Sequence, residues 1–325
     1  MKDLSENIDY FSLDINKFIE DELERNFFNH FVSQKENHYK VFKIPKRSNG
    51  YREINQPIGE LKLIHKKISN YLLIHRNNNL GTSYGFEFNK SILECAIKHV
   101  NKRIVINFDI KDFFNSISKE MVHSTIQNEF KITNENLKYL TEIVTFREHL
   151  PQGSPCSPIL SNYICHSLDI ELLKYAKQKK LVYTRYADDL TFSTNDKVNF
   201  KEFIVFIINT LKSFGFGLNF RKLKIYKKNN RQEVTGLVVN EKVNVKRELL
   251  KLVRAVLYNW KKNGYTHAEI VFKKKFPNNN LINTLGGWID FIGFIKGKEN
   301  TQYQKFLKLF NTLVNNTNKQ EYEYI

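Results

Sequence analysis

Two adjacent carboxylates, Asp188 and Asp189, lie in the middle of a stretch (181–193) whose other residues are typical of β-strands. Val, Tyr, Thr and Phe are frequent on both sides and Asp is common in turns, so the stretch predicts a hairpin with both carboxylates at its tip. An Asp-Asp turn alone is also typical of an ordinary exposed loop. A third carboxylate, Asp109, ends the apolar run 103–109. Because hard divalent cations such as Mg²⁺ prefer oxygen ligands, carboxylates converging from two strand ends could bind a pair of metal ions.

The stretch 150–159, Leu-Pro-Gln-Gly-Ser-Pro-Cys-Ser-Pro-Ile, holds three prolines and a glycine, which predicts a stiff loop. Gly153 has no side chain, so the backbone there can approach a flat ligand closely. Ser157 followed by Pro158 predicts a helix start with proline at the first helical position. The loop is therefore a candidate for contact with a planar group.

Two short β-like arms at 39–57 flank a Ser-Asn-Gly turn at 48–50, and Asn-Gly is a strong signal for a hairpin. Lys46, Arg47 and Arg52 lie next to this turn. Lys and Arg bind polyphosphate in other proteins, although ordinary surface charge on a hairpin explains these residues equally well.

Other elements must position these residues, and apolar residues that recur three or four positions apart predict helices for much of the chain. The predicted helical segments are 1–40, 58–76, a helix beginning at 91, 118–147, 157–178, 200–214, 246–262 and 281–315. The predicted strand-like arms besides those above are 218–225 and 233–239.

The net charge of +17 is unevenly distributed. Residues 221–275 hold 16 Lys or Arg against 4 Asp or Glu, whereas residues 1–40 hold 5 against 9. Aromatic residues accompany the basic segment, namely Phe220, Tyr226, Tyr258, Trp260 and Tyr265. Basic residues interleaved with aromatic ones are typical of nucleic-acid surfaces, where cations follow the phosphates and bases stack on rings. A plain solvated face is the alternative for any single basic run.

Composition also argues against several classes of protein. No apolar run approaches the ~20 residues that a membrane-spanning helix needs, and the first nine residues are charged, unlike a secretory signal. Cys95, Cys156 and Cys165 are scattered without a C-x-x-C pair, which favours reduced thiols and argues against zinc. We therefore expect a cytoplasmic protein with no membrane partner.

In chain order, a strand ending in Asp, a Pro-Gln-Gly loop and a Tyr-Ala-Asp-Asp hairpin resemble the palm motifs of reverse transcriptases. The matching positions are Asp109 with Phe113 and Phe114, 150–155 and 186–189, with Lys46 to Arg52 resembling the fingers hairpin and 218–222 the lysine-bearing motif. The resemblance covers about residues 39–240.

This resemblance implies an α+β right-hand polymerase with fingers, a palm of antiparallel sheet plus helices, and a mainly helical thumb. The implied domains are an N-terminal helical extension at 1–40, fingers at 41–104, a palm at 105–240 with finger elements inserted around 118–150, and a thumb with an RNA-binding C-terminal region at 241–325.

Within that group the chain is similar to bacterial retron reverse transcriptases. Residues 234–236 match the Val-Thr-Gly signature of retrons, and 95–99 resemble their Asn-Ala-x-x-His signature, with Cys95 where Asn is usual. The resemblance implies synthesis primed from a 2′-hydroxyl of one cognate structured non-coding RNA, which gives a branched RNA–DNA product. It further implies membership of an anti-phage system with a separate effector protein.

The resemblance also implies roles for the matched residues. Asp109, Asp188 and Asp189 would be catalytic and bind two Mg²⁺ ions, with Ile110 as a further metal-binding position and Asp189 as the weaker carboxylate ligand.

The residues implied in dNTP binding are Lys46, Arg52, Phe113, Phe114, Gln152, Gly153 and Lys222. The basic pair on the hairpin would hold the triphosphate, and Phe114 would exclude a ribose 2′-hydroxyl. The Gln-Gly pair would line the nascent base pair, and the lysine would lie near the leaving pyrophosphate.

Contacts to RNA or DNA are expected from the basic segment and from the Val-Thr-Gly signature. These residues are Arg221, Lys224, Lys227, Lys228, Arg231, Thr235, Gly236, Lys246, Arg247, Lys251 and Arg254. One alternative is a catalytically idle RNA-binding scaffold that sequesters an effector, against which the intact acidic set counts. Another is a palm fold that cyclises nucleotides, against which the Pro-Gln-Gly loop and the basic segment count, because a cyclase needs no template track.

Overall fold

The computed structural model describes residues 15, 16, 19, 31, 34–46, 50–76 and 80–322, with side chains up to 317. The chain divides into two compact units. The first takes in the described residues up to Ser91 together with Ile106–Ile225, and the second takes in Ile92–Val105 and the residues from Tyr226 onward. Most of the helix predicted for 1–40, and the turn residues 47–49, lie outside the described residues.

The α-helices that follow residue 57 are numbered in chain order. They are α1 (Gly59–Ile74), α2 (Ile92–Ile97), α3 (Phe113–Ser116), α4 (Lys119–Glu129), α5 (Asn134–Val144), α6 (Ser157–Ile164), α7 (His166–Gln178), α8 (Phe200–Ser213), α9 (Arg247–Asn263), α10 (Tyr265–Lys275), α11 (Leu281–Lys296) and α12 (Thr301–Tyr322). Short 3-10 helices occupy Lys35–His38 and Phe220–Lys222. Within the described ranges, no helix combines the length and the apolarity needed to cross a lipid bilayer.

The first unit begins with a hairpin in which β1 (Tyr39–Pro45) pairs antiparallel with β2 (Tyr51–Pro57). The Lys46 N–H donates to the Gly50 carbonyl oxygen at 2.9 Å and closes the ladder next to the turn. This confirms the predicted hairpin, which holds Lys46 and Arg52 at the same end.

A four-stranded sheet, most of whose residues belong to the first unit, has the strand order β4-β5-β3-β6. Its strands are β3 (Ile104–Asp109), β4 (Val182–Tyr186), β5 (Asp189–Thr194) and β6 (Lys224–Lys227). β4 and β5 pair antiparallel. β3 lies between β5 and β6, and five of its six residues are buried. A strand covered on both faces appears in sequence as a continuous apolar run, which is the pattern seen before Asp109.

Three phenylalanine rings anchor α8 to this sheet. Phe108 of β3, Phe192 of β5 and Phe203 of α8 are each at most 1% exposed. Their rings meet edge to face, with centroid distances of 5.9, 5.4 and 5.0 Å. Aromatic pairs favour this arrangement because the positive ring edge faces the negative ring face. The cluster therefore fixes the two central strands, whose ends carry the carboxylates.

The second unit is mainly helical and packs around aromatic side chains of α9–α12. Trp260 lies edge to face with Phe310, with 6.2 Å between ring centroids. A Cβ added at Gly293 of α11 would come within 2.5 Å of the Tyr303 ring of α12. The absence of a side chain at Gly293 therefore allows these two helices to approach closely.

A small hairpin, β7 (Glu233–Val234) with β8 (Leu237–Val238), also belongs to the second unit. Thr235 and Gly236 form its two-residue turn, with φ of 48° and 85°. Positive φ at both central residues is the geometry of a type I′ turn. The predicted single strand 233–239 was therefore wrong, because this turn reverses the chain halfway along it.

Several predicted helices are confirmed in position but differ in continuity. The stretch 118–147 forms two helices, each capped by a hydroxyl, since Ser118 accepts from Met121 N–H and Thr133 accepts from Asn136 N–H. The stretch 157–178 is broken at Cys165. Its first helical residue is Ser157, so Pro158 takes the second helical position rather than the first.

The C-terminal half holds three further differences. The segment 218–225 contains a 3-10 turn at Phe220–Lys222, and a strand begins only at Lys224. The predicted helix 281–315 divides into α11 and α12 around Gly297, whose φ is 88°. Helix α10 was not predicted from the sequence at all.

All three cysteines are free thiols, and all three are buried. Burial raises the pKa of the Cys156 and Cys165 thiols to about 12.

Ile207 and Val205 of α8 offer a matched test of this packing, because Ile207 is fully buried whereas Val205 is 49% exposed. We expect Ile207→Ala to lower the free energy of unfolding by about 2–5 kcal/mol, since it leaves a cavity beneath the sheet. Val205→Ala should change it by less than about 0.5 kcal/mol. Urea unfolding of both variants measures the difference, and equal effects would contradict the assigned buried face of α8.

Candidate active site

The hairpin β4–β5 presents Asp188 and Asp189 at one edge of the sheet. Tyr186 lies directly opposite Asp189, which leaves Ala187 and Asp188 as the two turn residues. Ala187 has φ of 55°, a left-handed conformation that is costly for a residue with a side chain. The predicted hairpin is confirmed, with one correction. Asp188 is in the turn, while Asp189 is the first residue of β5 rather than part of the tip.

β3 carries Asp109 to the same edge because it pairs next to β5. The Ile110 N–H, one residue beyond the strand, donates to the carbonyl oxygen of Asp188 at 3.0 Å. This hydrogen bond joins the end of β3 to the turn of the hairpin. The structure thus brings together the three carboxylates that the sequence placed on separate segments.

The electrostatics of Asp188 and Asp189 reflect this crowding. Burial, together with repulsion from Asp188 and Asp109, raises the pKa of Asp189 to about 7. Burial and the charge of Asp109 also raise the pKa of Asp188, with Lys222 and Arg52 opposing the rise. A cluster of buried carboxylates favours either protons or a bound cation, because like charges cannot all be ionised at close range without a partner.

Asp109 is held from two sides. Its Oδ1 accepts a hydrogen bond from the Asn219 side chain at 3.0 Å, and its Oδ2 pairs with the Lys222 ammonium at 2.6 Å. The Asn219 N–H also donates to the Asp109 carbonyl oxygen at 2.9 Å. Lys222 was expected near this site, whereas Asn219 was not assigned a role from the sequence. In the sequence, Asn219 is only a polar residue between two apolar ones, and that signal is too weak to predict a role.

The donor set consists of hard oxygen atoms, which are the ligands that Mg²⁺ prefers. Among the described residues, however, no group of three or more His, Cys, Asp or Glu side chains is arranged to hold a metal ion. Both carboxylate oxygens of Asp109 have partners in this structure. The residue types and their mutual repulsion fit a divalent cation, provided that Lys222 moves off Asp109.

The basic residues of the β1–β2 hairpin lie on the same side of the first unit as the carboxylates. Arg52 is close enough to lower the pKa of Asp188 through its charge. The Lys46 ammonium lies 4.0 Å from the carboxylate of Asp112, and both side chains are well exposed. Both predicted cations therefore remain accessible to an anionic ligand, whereas Arg47 lies outside the described residues.

Phe113 and Phe114 differ in exposure. Phe113 is 4% exposed and packs against Phe216, with ring centroids 6.0 Å apart. Phe114 is half-buried and contacts Phe113 at 5.2 Å and Phe86 at 6.5 Å. Phe113 is therefore placed to support Phe114 from the core, and direct contact of either ring with a dNTP stays a prediction.

The Pro-Gln-Gly loop is attached to the β1–β2 hairpin. The Asn55 N–H donates to the Gln152 carbonyl oxygen at 2.8 Å. Gly153 has φ of 117°, and a Cβ there would come 2.7 Å from a methyl carbon of Ile54. Glycine is required at this position for both reasons. The loop and the basic hairpin are therefore in direct contact.

The predicted nucleic-acid contacts divide between the two units. Arg221 and Lys224, in the first unit, are exposed. In the second unit, the exposed positions are Lys227, Lys228, Arg231, Gly236, Arg247, Lys251 and Arg254. Two of the predicted cations already have acidic partners. Arg231 pairs with Glu233 and Glu248 at 2.7 Å, and Lys246 pairs with Glu233 at 2.6 Å.

The two signature segments of the second unit lie side by side. The Thr235 hydroxyl lies 3.3 Å from the Ile92 carbonyl oxygen at the start of α2 and 2.8 Å from that of Val234. Cys95 and His99 are buried, and burial lowers the pKa of His99 to about 3. The imidazole is therefore neutral and part of the packing.

Comparison with known proteins agrees with this geometry. Residues 44–241 match the family described as reverse transcriptase (RNA-dependent DNA polymerase). The retron Ec86 reverse transcriptase of Escherichia coli is 32% identical over 80% of this chain and 77% of its own length. The retron Ec83 reverse transcriptase of the same organism is 32% identical over 72% of this chain and 79% of its own length.

A solved structure of telomerase from Candida albicans with a TWJ fragment of telomeric RNA aligns with 89% of this chain and 67% of that one. The TM-score is 0.50 at 11% identity, so this likeness concerns the fold alone. The chain belongs to the reverse transcriptase family and, within it, to the bacterial retron reverse transcriptases. It is an RNA-directed DNA polymerase with an α+β right-hand fold of fingers, palm and mainly helical thumb.

The raised pKa of Asp189 predicts a pH-dependent stability in the presence of a chelator. The folded protein binds this proton more tightly than the unfolded chain, so the contribution of Asp189 to folding becomes less favourable as the pH rises toward about 7. We expect Asp189→Asn to be more stable than the unsubstituted protein at pH 8 and to lose this part of the pH dependence. Urea unfolding from pH 5 to 8 in EDTA measures it. The exposed Asp112→Asn is the matched control, and parallel curves for Asp189→Asn and the unsubstituted protein would contradict the prediction.

Proposed function

We propose that this retron reverse transcriptase copies a cognate structured non-coding RNA into single-stranded DNA that stays joined to the RNA through a branch. The DNA synthesis would proceed by two-metal nucleotidyl transfer at Asp109, Asp188 and Asp189. The observation that carries the proposal is the convergence of these three carboxylates at one edge of the sheet in a chain of this family.

The proposed cofactor is a pair of Mg²⁺ ions held by Asp109 and Asp188, with Ile110 and Asp189 adjacent. Bound Mg²⁺ would lower the pKa of the primer hydroxyl and stabilise negative charge on the leaving pyrophosphate. The raised pKa values of Asp188 and Asp189 support this proposal, because a divalent cation relieves the repulsion that causes them. Lys222 would release Asp109 as the cations bind.

The surrounding residues would orient the reactants. Asn219 keeps the Asp109 carboxylate in one orientation, and the Ile110 N–H holds the Asp188 main chain. Lys46 and Arg52 would bind the triphosphate of the dNTP from the hairpin. Lys222, once released, would meet the leaving pyrophosphate, which carries the negative charge that its ammonium now finds on Asp109.

The domains and the partners of the protein can be proposed from the same family relationship. We assign residues 41–104 to the fingers, 105–240 to the palm with finger elements around 118–150, and 241–325 to the thumb and RNA-binding region. The proposed partners are the cognate RNA, its branched product, dNTPs and a separate effector protein, within a cytoplasmic anti-phage system.

The first experiment is to purify the protein after expression with its native flanking locus and to digest the bound nucleic acid separately with RNase and DNase. We expect a small single-stranded DNA linked to RNA. Asp188→Asn should abolish this DNA while RNA still copurifies, because the substitution removes a carboxylate but leaves the basic surface intact. RNA alone in both preparations would favour the idle scaffold instead. Equal loss of DNA and RNA in the variant would contradict the role of Asp188 as a metal ligand.

Phe114 is proposed to select the sugar of the incoming nucleotide. We expect Phe114→Ala to raise the use of rNTPs relative to dNTPs by about tenfold or more, since truncation opens space where a 2′-hydroxyl would clash. Single-nucleotide incorporation with each substrate measures the ratio. Phe294→Ala, a change at a 51% exposed ring in the second unit, is the control. An unchanged ratio in Phe114→Ala would remove Phe114 from this role.

RNA binding by the basic segment should weaken steeply with salt, because binding releases cations from the phosphates. Neutralising a phosphate contact reduces the slope of log affinity against log salt by about one. We expect this effect for Arg254→Ala on the exposed face of α9, and little change for Lys179→Ala, whose ammonium pairs with Glu202 in the first unit. Filter binding at several salt concentrations between about 50 and 200 mM measures the slope for both variants. A flat salt response would contradict phosphate tracking.

A further inference from the structure

Arg185 is the largest fully buried side chain of the described residues. It lies on β4, three residues before Asp188, in a strand otherwise made of aromatic and β-branched residues. A buried charge is costly unless it is paired and hydrogen-bonded. The partners of this guanidinium therefore indicate what its burial achieves.

On one side, Arg185 forms a two-pronged ion pair with Asp169 of α7. Its Nε lies 2.9 Å from Oδ1 and its Nη2 lies 2.7 Å from Oδ2. The Tyr183 hydroxyl donates to the same Oδ1 at 2.7 Å. Asp169 is 2% exposed, so the pair is shielded from water and its geometry is fixed by several strong hydrogen bonds.

On the other side, Arg185 reaches the turn that carries Asp188. Its Nη1 donates to Asn162 Oδ1 at 3.0 Å and approaches the Ala187 carbonyl oxygen at 3.4 Å. The Asn162 amide in turn donates to the Gly85 carbonyl oxygen at 2.9 Å. The guanidinium thus connects the left-handed residue of the turn to helix α6 and to the segment 82–85.

The main chain makes the same connection. The Arg185 N–H donates to the Thr82 carbonyl oxygen, and the Tyr84 N–H donates to the Arg185 carbonyl oxygen, both at 2.8 Å. A Cβ at Gly85 would come 2.6 Å from the Ala187 nitrogen, so the segment lies directly against the turn. The hairpin tip is therefore held by a second layer of polar contacts behind the carboxylates.

We propose that Arg185, held by Asp169 and Asn162, is a positioning residue for DNA synthesis that fixes the turn of Asp188 relative to Asp109. The inference rests on the proposed role of Asp188. The turn needs such support because Ala187 takes a left-handed conformation, with φ of 55°, that is costly for a residue with a side chain. Displacement of a reacting group by about 1 Å can cost roughly 100-fold in rate.

If the ion pair of Arg185 and Asp169 served only the stability of the fold, its replacement would leave DNA synthesis unchanged. Buried ion pairs can often be replaced by apolar residues of similar volume without loss of stability. The triple variant Arg185→Met, Asp169→Leu and Tyr183→Phe makes that replacement and leaves no charge or phenol hydroxyl unpaired. The Asn162 Oδ1 keeps a donor, the Ser83 hydroxyl at 3.2 Å.

We expect the folded triple variant to show a kcat for single-nucleotide incorporation lowered by about tenfold or more, with a KM for dNTP within about twofold. Hydrogen exchange should also speed up at the Ile110 amide, which donates to Asp188, without a matching change in α8. Ile207→Val, a conservative change in the core, is the control for modest loss of stability and should keep kcat.

An unchanged kcat, or a rise in KM alone, would overturn the proposal, as would unchanged exchange at Ile110. If the triple variant does not fold, Asn162→Ala decides by the same criteria, because it removes the amide that joins Arg185 to the Gly85 segment packed against the turn, while Arg185 keeps Asp169. Asp188→Asn is run in parallel. Synthesis retained in Asp188→Asn would contradict the proposed function itself, whereas its loss together with a fully active triple variant would contradict only the positioning role.

Discussion

Three carboxylates that repel one another must be held at one edge of a sheet, and much of the first unit serves that requirement. Asp109 is fixed by the buried strand β3 and by Asn219, and Asp188 by the amide that follows β3. The ammonium of Lys222 offsets the charge of Asp109, while burial and repulsion raise the pKa of Asp189 to about 7. Such a cluster favours a proton or a cation, because its carboxylates cannot all be ionised at close range without a partner.

Local chemistry explains which parts of the fold could be predicted. The β1–β2 and β4–β5 hairpins were predictable because each has a short turn sequence between two segments of strand-forming residues. The strand before Asp109 was predictable because burial on both faces leaves an apolar run. The 3-10 turn at 220–222 and the break at Gly297 were missed, since each departs from a periodic pattern only at one or two residues. Helix α10 was missed because it buries only Ala268 and Phe272 and therefore shows little apolar periodicity.

In the site, too, residues marked by their neighbours in sequence could be predicted, whereas contacts between distant segments could not. Asp109, Asp188 and Asp189 could be singled out because they end strands or interrupt them. Asn219 could not be singled out, since its contact with Asp109 depends on the pairing of separate segments. Arg185 had a weak local signal, a charged residue within an apolar strand. That signal says that a partner must exist but does not identify Asp169, sixteen residues earlier.

The basic composition of the second unit overstates the number of cations available to phosphates. Glu233 binds both Arg231 and Lys246, so part of the positive charge holds the short β7–β8 hairpin to the start of α9. The exposed residues of α9, such as Lys251 and Arg254, are better placed for a nucleic-acid backbone.

The burial of all three cysteines has a practical consequence for labelling the protein at chosen positions. A thiol whose pKa is about 12 is almost entirely protonated at neutral pH and therefore a poor nucleophile, and burial also denies access to reagents. Cysteines introduced at exposed positions, one in each unit, would accept maleimide dyes against a low background. The native chain is thus suited to fluorescence energy transfer without first removing its own thiols.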